Sequence, residues 1–438
     1  MMPTNSIEAS KASVLPSLLL LAAACLAATG CSTILAVKEQ QALADANAII
    51  GGTVAMADGD ARGSLVVGLI AKGKDGFILV DHFVAERPGP WVFAVQPGTY
   101  WVVAFDDENG NGRYDAEPAY RPSPDAPVTL VAGQRKEGIS IAIPRNGRFA
   151  RVGFSVKDLQ ARDQREQQFH SIYELSAEGV VTSLDDPRFA QEIASSGMWK
   201  PWEFLLHVEP GIYFLEPYDP SRIPVLFVHG VGGTPTDFRQ LIAALDPRRY
   251  QAWVAYYPSG SDLGMLGDWM AQLFARLRTT YRFRKAAVVA HSMGGLVTRR
   301  FLLGDFDRTR SSTVRTYVTI SSPLGGMESA GMGVKNSPVV LRSWYGLAPG
   351  SDFLDGLYYS DPPKRKVRRE LPATMAYHMM FGFHGSDSSD GVVSLSSELR
   401  PEAQEEARSL RGFDATHTGI LEAPAVATRL NEILGEMD

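Results

Sequence analysis

The sequence predicts an α/β chain, in which a doubly wound, mostly parallel sheet over residues 223–438 is preceded by a small all-β sandwich over residues 51–146. In the C-terminal half, apolar strand-like segments alternate with amphipathic helical segments, which is typical of a sheet covered by helices on both faces. In the N-terminal part, short apolar segments are separated by turn residues, as in antiparallel sandwiches. A single tight strand–turn–helix corner, at residues 286–297, carries a serine hydroxyl.

The composition is that of a globular protein with more than one domain. The chain has 438 residues, which is too long for one average domain and fits two or three. Its hydrophobic content of 45% and charged content of 21% allow a sizeable core. The net charge of −6 argues against an extended nucleic-acid-binding surface, so we expect no nucleic-acid partner.

Both cysteines of the chain, Cys25 and Cys31, lie near its beginning. They fall inside or just after an apolar run over residues 14–29, which is short for a membrane span, so residues 1–30 are predicted to be a signal peptide. The residues that lead to Cys31 resemble a bacterial lipoprotein cleavage box, in which small residues precede a cysteine that becomes lipidated. The alternative is an ordinary secretory signal in which Cys31 is incidental.

Lipidation of Cys31 would anchor the protein to the bacterial cell envelope through a short tether over residues 31–50. Ser32 follows the cysteine, which resembles the pattern sorted to the outer membrane. We therefore expect a lipid-anchored envelope protein that contacts the membrane through its acyl groups. The chain after Cys31 contains no cysteine, so it has to be stabilised by packing alone.

The predicted sandwich contains six short apolar segments at the spacing of antiparallel strands. Its turn at residues 96–100 resembles the PGxY hairpin of carboxypeptidase-regulatory-like and related Ig-like modules, which is a resemblance of fold alone. The six segments are residues 64–70, 77–80, 91–95, 100–105, 128–131 and 139–143.

One loop of the sandwich has the spacing of a calcium-binding loop. Side-chain oxygens recur from Asp107 at every second position, a glycine follows, and Asp115 stands at the ninth position. The twelfth position, where a bidentate glutamate belongs, is Pro118, and Glu117 stands one residue early. A structural calcium ion at residues 107–115 and a plain Asn/Gly-rich turn both remain open, and no cofactor is required by the rest of the chain.

Residues 147–222 are expected to be a connector that packs on the following domain and contributes to its first strands. From residue 223 onward the strand and helix patterns alternate. Strands are expected at residues 224–229, 252–257, 286–291, 316–321 and 374–383, and helices near residues 235–245, 265–280, 293–304, 399–410 and 419–436.

The tight corner carries Ser292, between a strand that ends at His291 and a helix that begins at Met293. Such a turn leaves no space for large side chains two residues before and two residues after the serine, where Ala290 and Gly294 stand. The turn lifts the Ser292 Oγ clear of the sheet and puts the Met293 backbone N–H where it can donate to a developing oxyanion. Ser292 is therefore the candidate nucleophile.

A serine nucleophile needs a base and an orienting carboxylate, and with such a turn these follow the serine in the order acid, then histidine. The histidines beyond the corner are His378, His384 and His417. His378 falls inside a strand-like run, where a structural role is expected. His417 lies in a loop that opens the last helix, from which it can reach the end of the sheet, so it is the candidate base.

Asp390 is the candidate acid, because the residues after it can carry the chain back under the sheet while its carboxylate faces His417. Asp387 is the fallback, and Asp414 is too close to His417 along the chain to orient its ring. The second oxyanion donor is expected to be the backbone N–H of Val231, in the glycine-rich loop after the first central strand.

Two histidines beside these groups are interpreted as structural. His229 is expected to hold the oxyanion loop, and His291 is expected to pack beside the corner. Neither is a candidate base, because each comes before Ser292 along the chain.

Four motifs resemble those of small bacterial triacylglycerol lipases in the α/β-hydrolase superfamily, over about residues 223–438. The resemblance implies hydrolysis of acyl or lipid esters through a Ser292 acyl-enzyme, and Ala290 is a variant that those lipases share. The same acyl-enzyme would serve an acyltransferase or thioesterase, and a non-catalytic envelope binding protein is the alternative outside catalysis. The four motifs are HGVGG at residues 229–233, AHSMGG at 290–295, DGVV at 390–393 and HTGIL at 417–421.

Residues 323–373 separate two of the predicted strands and are rich in methionine and aromatic side chains. Flexible and aromatic groups of this kind suit a lid that binds an acyl chain. A helical insertion that packs on its own core is the alternative, and the sequence favours neither.

We expect Cys31→Ser to abolish incorporation of labelled palmitate into the expressed full-length protein, because the Cys31 thiol is the acyl acceptor in the lipoprotein interpretation. Cys25→Ser is the matched control and should leave the labelling unchanged. Palmitate labelling that persists after Cys31→Ser would contradict the lipid anchor.

Overall fold

A computed structural model describes residues 47–73, 76–85, 87–120, 127–148, 176–360, 367–385 and 388–437, together with Lys38 and Ala42. The signal-peptide segment, Cys31 and the fallback acid Asp387 lie outside the described residues, as do most of the tether and part of the connector. In the part of the chain that is described, no helix combines the length and the apolar character needed to cross a membrane.

Eight strands form two sheets in the N-terminal unit: β1 (Ala48–Met56), β2 (Ser64–Gly73), β3 (Gly76–Ala85), β4 (Gly89–Val95), β5 (Gly98–Asp107), β6 (Ala119–Tyr120), β7 (Val128–Leu130) and β8 (Arg135–Ile143). One sheet has the order β4-β1-β8, and the other has the order β3-β2-β5-β6, with β7 paired to β5. The buried side chains of the two sheets form one apolar core, which includes Ile50, Phe93, Val67, Tyr100 and Ile141.

Strand β1 was not expected from the sequence, and it begins inside the segment assigned to the tether. It pairs antiparallel with β4 and parallel with β8, so it is the central strand of its sheet. The pair Gly51-Gly52 interrupts its apolar pattern, which hides the strand in the sequence. Gly52 is needed there because a side chain would run into the backbone of Ile139 on β8.

The α/β unit is built on an eight-stranded sheet with the order β18-β17-β14-β13-β11-β12-β10-β9. The strands of this unit are β9 (Ala177–Val181), β10 (Gly211–Phe214), β11 (Ile223–Val228), β12 (Tyr250–Tyr256), β13 (Ala286–His291), β14 (Val314–Ile320), β15 (Tyr359–Ser360), β16 (Val367–Arg368), β17 (Ala376–Phe383) and β18 (Ser409–Asp414). All neighbouring pairs in the large sheet are parallel except β10 with β12, and β15 pairs only with β16. The predicted doubly wound, mostly parallel sheet is confirmed.

Eleven α-helices are described: α1 (Gln191–Trp199), α2 (Pro201–His207), α3 (Arg239–Ala243), α4 (Leu263–Tyr281), α5 (Met293–Thr309), α6 (Glu328–Asn336), α7 (Arg342–Leu347), α8 (Asp352–Gly356), α9 (Leu395–Glu398), α10 (Pro401–Glu406) and α11 (Pro424–Gly435). Short 3₁₀ turns cover Pro187–Phe189, Pro235–Phe238 and Gly419–Leu421. The connector thus supplies two strands and two helices to the α/β unit, in line with the expectation that it contributes the first strands.

Both faces of the large sheet are covered, which explains why its central strands are apolar throughout. On β13, Val288 packs into the core under α4 and α5, whereas its neighbour Val289 packs into the core under α3 and α11. Successive side chains of a strand point to opposite faces, so a strand buried on both sides needs no polar alternation. The run of small and β-branched residues before Ser292 is therefore a structural requirement of the central position.

The helix expected near residues 399–410 is present only over Pro401–Glu406, and its predicted C-terminal end is wrong. The chain there forms the short helices α9 and α10 and then strand β18, which pairs in parallel with β17. Pro401 starts a new helix at its first position, and β18 is a half-exposed edge strand that carries Arg411 and Asp414. An edge strand of this composition has no clear strand pattern in the sequence.

The N-terminal unit is joined to the α/β unit through a buried ion pair. Arg276 on α4 donates to Asp81 on β3 and to Glu178 on β9, each at 2.7 Å. Its side chain is 4% exposed and that of Asp81 is fully buried. Burial alone would lower the pKa of Arg276, but the two carboxylates outweigh it and raise that pKa. Burial, and then the charge of Arg276, hold the pKa of the adjacent His82 well below its usual value, so this histidine is neutral.

We expect Arg276→Met to lower the free energy of unfolding by about 3–5 kcal/mol, because it removes the guanidinium that pairs with the buried Asp81 carboxylate. Arg248→Met is the matched control, since Arg248 pairs with Asp246 at an exposed site, and it should leave stability nearly unchanged. Denaturant unfolding of both variants checks this. Equal unfolding midpoints for the two variants would contradict a stabilising role for the buried pair.

Candidate active site

Ser292 occupies a strained corner between β13 and α5. Its φ of 53° lies in the left-handed region, which L-residues rarely adopt. Its N–H donates to the Ile320 carbonyl at 2.9 Å, at the end of the neighbouring strand β14. On the other side, a Cβ on Gly294 would lie 2.5 Å from the Val228 and His229 carbonyl oxygens. The predicted need for a small residue two positions after the serine thus comes from contact with the end of β11.

The structure brings Ser292, His417 and Asp390 into one hydrogen-bonded chain. The His417 Nε2 lies 2.9 Å from the Ser292 Oγ, and the His417 Nδ1 lies 2.6 Å from the Asp390 Oδ2. The order is acid, base and hydroxyl, which is the arrangement required of an activated serine. All three residues are buried.

The Asp390 carboxylate is held as an anion. Its Oδ1 accepts from the backbone amides of Val392 at 2.9 Å and Val393 at 2.7 Å, and its Oδ2 faces His417. Burial raises the pKa of Asp390, but the His417 hydrogen bond and charge and the two backbone amides outweigh burial, so the pKa lies below its ordinary value. The turn after Asp390 therefore both returns the chain and fixes the carboxylate.

The loop that carries His417 is anchored at two points. The His417 backbone N–H donates to the Asp390 carbonyl at 3.0 Å, and the His291 Nε2 donates to the His417 carbonyl at 2.8 Å. Burial, and then the charge of His417, lower the pKa of His291 to about 3, so His291 is neutral. Sequence reasoning treated His291 only as a packing residue. The His291 ring donates to His417, which lies 126 positions further along the chain, and no local sequence pattern shows such a contact.

The glycine-rich loop after β11 lies directly against the nucleophile. A Cβ on Gly230 would stand 2.7 Å from the Ser292 Cβ and 3.1 Å from its Oγ. The loop is fixed by a hydrogen bond from the Gly232 N–H to the Ser259 Oγ at 2.8 Å. Val231, the expected donor, directly follows Gly230, and Met293 is the first residue of α5, whose first-turn amides have no partner within the helix.

His229 has the surroundings of a structural residue. Its ring stacks on Tyr257 with a centroid distance of 4.2 Å, and its Nδ1 lies 2.8 Å from the Gly230 carbonyl oxygen. The Tyr257 hydroxyl donates to the His229 carbonyl. Burial lowers the pKa of His229 to about 4, so the ring is neutral at pH 7 and holds the loop without adding charge beside Ser292.

The remaining histidines that follow Ser292 lie away from its hydroxyl. His378 is buried on β17, its Nδ1 lies 2.8 Å from the Ser409 Oγ, and burial lowers its pKa to about 4. His384 is exposed and stands 3.9 Å from the equally exposed Asp414. Of the three histidines, only His417 contacts the nucleophile.

Helices from two separate parts of the chain border this end of the sheet. Trp199 at the end of α1 packs edge-on against Trp344 on α7, with a centroid distance of 6.4 Å. The side-chain amide of Gln191, at the start of α1, donates to the Gly232 carbonyl at 2.8 Å. Where it is described, the expected insertion at residues 323–373 thus contains the helices α6, α7 and α8 and the strand pair β15–β16, and α7 meets the connector. A lid function for it stays a prediction.

A second acidic side chain, which sequence reasoning missed, stands behind Asp390 and His417. An oxygen of Glu398, an oxygen of Asp390 and a ring nitrogen of His417 all lie within 4.8 Å of one another. Such a group could in principle hold a metal ion, but both His417 nitrogens already serve Asp390 and Ser292. Glu398 ends the short helix α9, whose position under β17 is a product of the tertiary fold.

The loop at residues 107–115 is closed by its own hydrogen bonds. The buried Asp107 carboxylate accepts from the Asn111 and Gly112 amides at 3.2 Å and 2.9 Å. The Asn111 side-chain amide donates to Asp115 at 2.7 Å, and the Asn109 side-chain amide donates to Glu117 at 3.0 Å. Both the calcium site and the plain turn are compatible with these contacts, so calcium binding stays a prediction.

Comparison with known proteins points to one fold family. Residues 225–425 match the sequence profile of the alpha/beta hydrolase family. No curated protein matches the chain. Among solved structures, the chain is similar to a Bacillus licheniformis lipase, BlEst2, in its mature form, at 19% identity and a TM-score of 0.40, over 51% of this chain and 97% of that one. It is also similar to Aspergillus fumigatus lipase B, at 15% identity and a TM-score of 0.39, over 51% of this chain and 56% of that one.

We expect Gly230→Ala to lower kcat on the order of 10²–10³-fold, because the new methyl group would meet the Ser292 side chain and shift the loop that carries the Val231 amide. Gly304→Ala is the matched control, since a Cβ at that position on α5 meets only an Asp268 oxygen at 4.0 Å. Hydrolysis of a chromogenic ester checks both variants. An active Gly230→Ala enzyme would contradict the placement of the oxyanion donor.

Proposed function

We propose that the protein is a serine hydrolase that cleaves carboxylic esters of acyl chains or lipids through a covalent acyl-enzyme. The observation that carries this proposal is the hydrogen-bonded chain from Asp390 through His417 to Ser292, at 2.6 Å and 2.9 Å. The match of residues 225–425 to the alpha/beta hydrolase family supports it.

In the first half of the reaction, the Ser292 Oγ attacks the ester carbonyl carbon while its proton moves to the His417 Nε2. The resulting oxyanion is positioned to accept hydrogen bonds from the Val231 and Met293 amides. The ionised Asp390 stabilises the imidazolium and keeps the remaining ring proton on Nδ1. Collapse of the intermediate breaks the ester C–O bond, and the alcohol leaves with the proton from Nε2.

In the second half, a water molecule takes the place of the alcohol. It gives a proton to the His417 Nε2 and attacks the acyl carbon, and the second oxyanion occupies the same two amides. Collapse returns the proton to the Ser292 Oγ and releases the carboxylic acid. An acyltransferase or thioesterase would share the acyl-enzyme and would differ in the nucleophile that enters or the group that leaves.

We further propose that the enzyme works at the bacterial cell envelope, anchored by lipid on Cys31, where acyl esters of membrane lipids are at hand. The proposal rests on the lipoprotein-like residues before Cys31. A single acyl chain gives marginal membrane binding, and additional chains give a stable anchor.

We expect a fluorophosphonate probe to label the wild-type enzyme at Ser292 and to leave Ser292→Ala unlabelled, because the probe reacts only with an activated hydroxyl. With p-nitrophenyl esters of short and long acyl chains, His417→Ala and Asp390→Asn should lower kcat on the order of 10⁴-fold. His384→Ala, at an exposed histidine, is the matched control and should keep full activity.

Products formed in the presence of a primary alcohol separate hydrolysis from transfer. Free acid as the main product supports the hydrolase, and a new ester as the main product identifies an acyltransferase. A wild-type protein that the probe does not label would refute catalysis and leave the binding-protein alternative.

A further inference from the structure

Glu398 is a buried acid that the proposed mechanism does not use. Its side chain is 1% exposed, and it stands at the end of α9, next to Asp390 and His417. Neither of its carboxylate oxygens accepts a hydrogen bond of regular geometry from the described residues. A buried carboxylate with so little hydrogen bonding is disfavoured in its charged form.

The space around Glu398 is closed by the ends of two strands. The Ser321 hydroxyl and the backbone of Gly382 lie beside it. A Cβ on Gly382 would stand 2.9 Å from the Asp390 Cβ and 3.1 Å from the Ser321 Oγ, so no further side chain fits between these groups. Among the described residues, the titratable groups next to this space are Asp390, His417 and, behind His417, the neutral His291.

These surroundings favour the protonated form of Glu398. Burial, and then the negative charge of Asp390, raise the pKa of Glu398 to about 9, against the weaker opposing effect of the Ser321 hydroxyl and the Gly382 amide. Ionising two adjacent carboxylates in a buried site costs free energy through their mutual repulsion, so one of them retains a proton. Asp390 is the one that stays ionised, because two backbone amides and His417 contact it.

We propose that Glu398 is a positioning residue that carries a proton in the working enzyme and donates it in a hydrogen bond to Asp390. The catalytic chain would then run from Ser292 through His417 and Asp390 to Glu398. This inference rests on the proposed function for its catalytic consequence, although the protonation of Glu398 stands independently of it.

The proton on Glu398 has two effects on the acid. It adds a third donor to Asp390, which favours the ionised carboxylate and keeps the ring proton on His417. It also leaves a single negative charge behind the base. When Glu398 ionises, Asp390 loses that donor, and a second negative charge stands next to the Asp390 carboxylate.

The first test is the pH dependence of kcat/KM for Glu398→Gln and Glu398→Leu. The glutamine keeps a neutral donor, so kcat at pH 7 should stay within about threefold of wild type, and the decline of wild-type activity near pH 9 should disappear. The leucine fills the space without a donor, so kcat should fall about tenfold or more with KM unchanged, as expected for a lost charge-assisted hydrogen bond.

The second test needs no activity. An unfolded glutamate has a pKa of about 4.3, so between that pH and about 9 folded wild-type protein binds one more proton than the unfolded chain, and stability falls as pH rises. Glu398→Gln lacks this dependence. Its Tm relative to wild type should therefore rise steadily between pH 5 and pH 8, whereas Glu405→Gln, at an exposed acid, should show a constant difference.

The two tests separate the failure of this inference from the failure of the proposed function. Superimposable pH–rate profiles for wild type and Glu398→Gln, or a Tm difference that does not change with pH, would overturn the role of Glu398. Equal losses in the glutamine and leucine variants would also overturn it, because the neutral donor would then be irrelevant. If the wild-type protein hydrolyses no ester, the Tm measurement still decides whether Glu398 carries a proton.

Discussion

The active site depends on the close approach of three parallel strands around one strained serine. A residue with positive φ costs on the order of 1–3 kcal/mol, and it persists only where its surroundings leave no other conformation. At Ser292 the constraint comes from both sides, since the end of β14 accepts its N–H, the end of β11 packs against Gly294, and Gly230 in the loop after β11 packs against the serine side chain. An added methyl group at Gly230 would meet the Ser292 side chain, and one at Gly294 would meet the carbonyl groups at the end of β11. Both small residues are therefore required by the same corner.

The base and the acid are fixed by the same strand ends. His291, the last residue of β13, donates to the carbonyl of His417, so one residue of the His-Ser pair holds the base while the next supplies the nucleophile. The amide of His417 in turn donates to the carbonyl of Asp390. The loops that carry Asp390 and His417 are thus hydrogen-bonded to each other, and the His417 loop is also hydrogen-bonded to His291 beside the serine. This arrangement keeps Ser292, His417 and Asp390 in one hydrogen-bonded chain, as the proposed mechanism requires.

Sequence reasoning selected residues that the structure brings together where local patterns or chain order mark them. The corner at Ser292 follows from small residues at defined offsets, and the order of acid and histidine leaves few partners for it. The edge strand β18 was missed because its exposed, polar composition resembles a helix surface. The Arg276–Asp81 pair joins residues 195 positions apart, and such long-range pairs leave no trace in a single sequence. Glu398 was missed for the same reason, since its neighbours are defined by how α9 packs under β17.

Two strained residues lie at the ends of the strands that border Asp390, and their position bears on the role of Glu398. Six non-glycine residues of the described chain have a positive φ. Ala116 and Glu209 lie in loops and Arg282 and Arg310 end helices, whereas Ser292 and Ser321 directly follow the adjacent strands β13 and β14. Ser321 stands beside Glu398, whose burial favours the protonated form of its carboxyl group at neutral pH. An apolar side chain would fill the same space with less loss of stability. Backbone strain and buried acids are both unfavourable for stability, and they occur together mainly at functional sites. Here both lie next to Asp390, which fits a role for Glu398 in positioning that carboxylate.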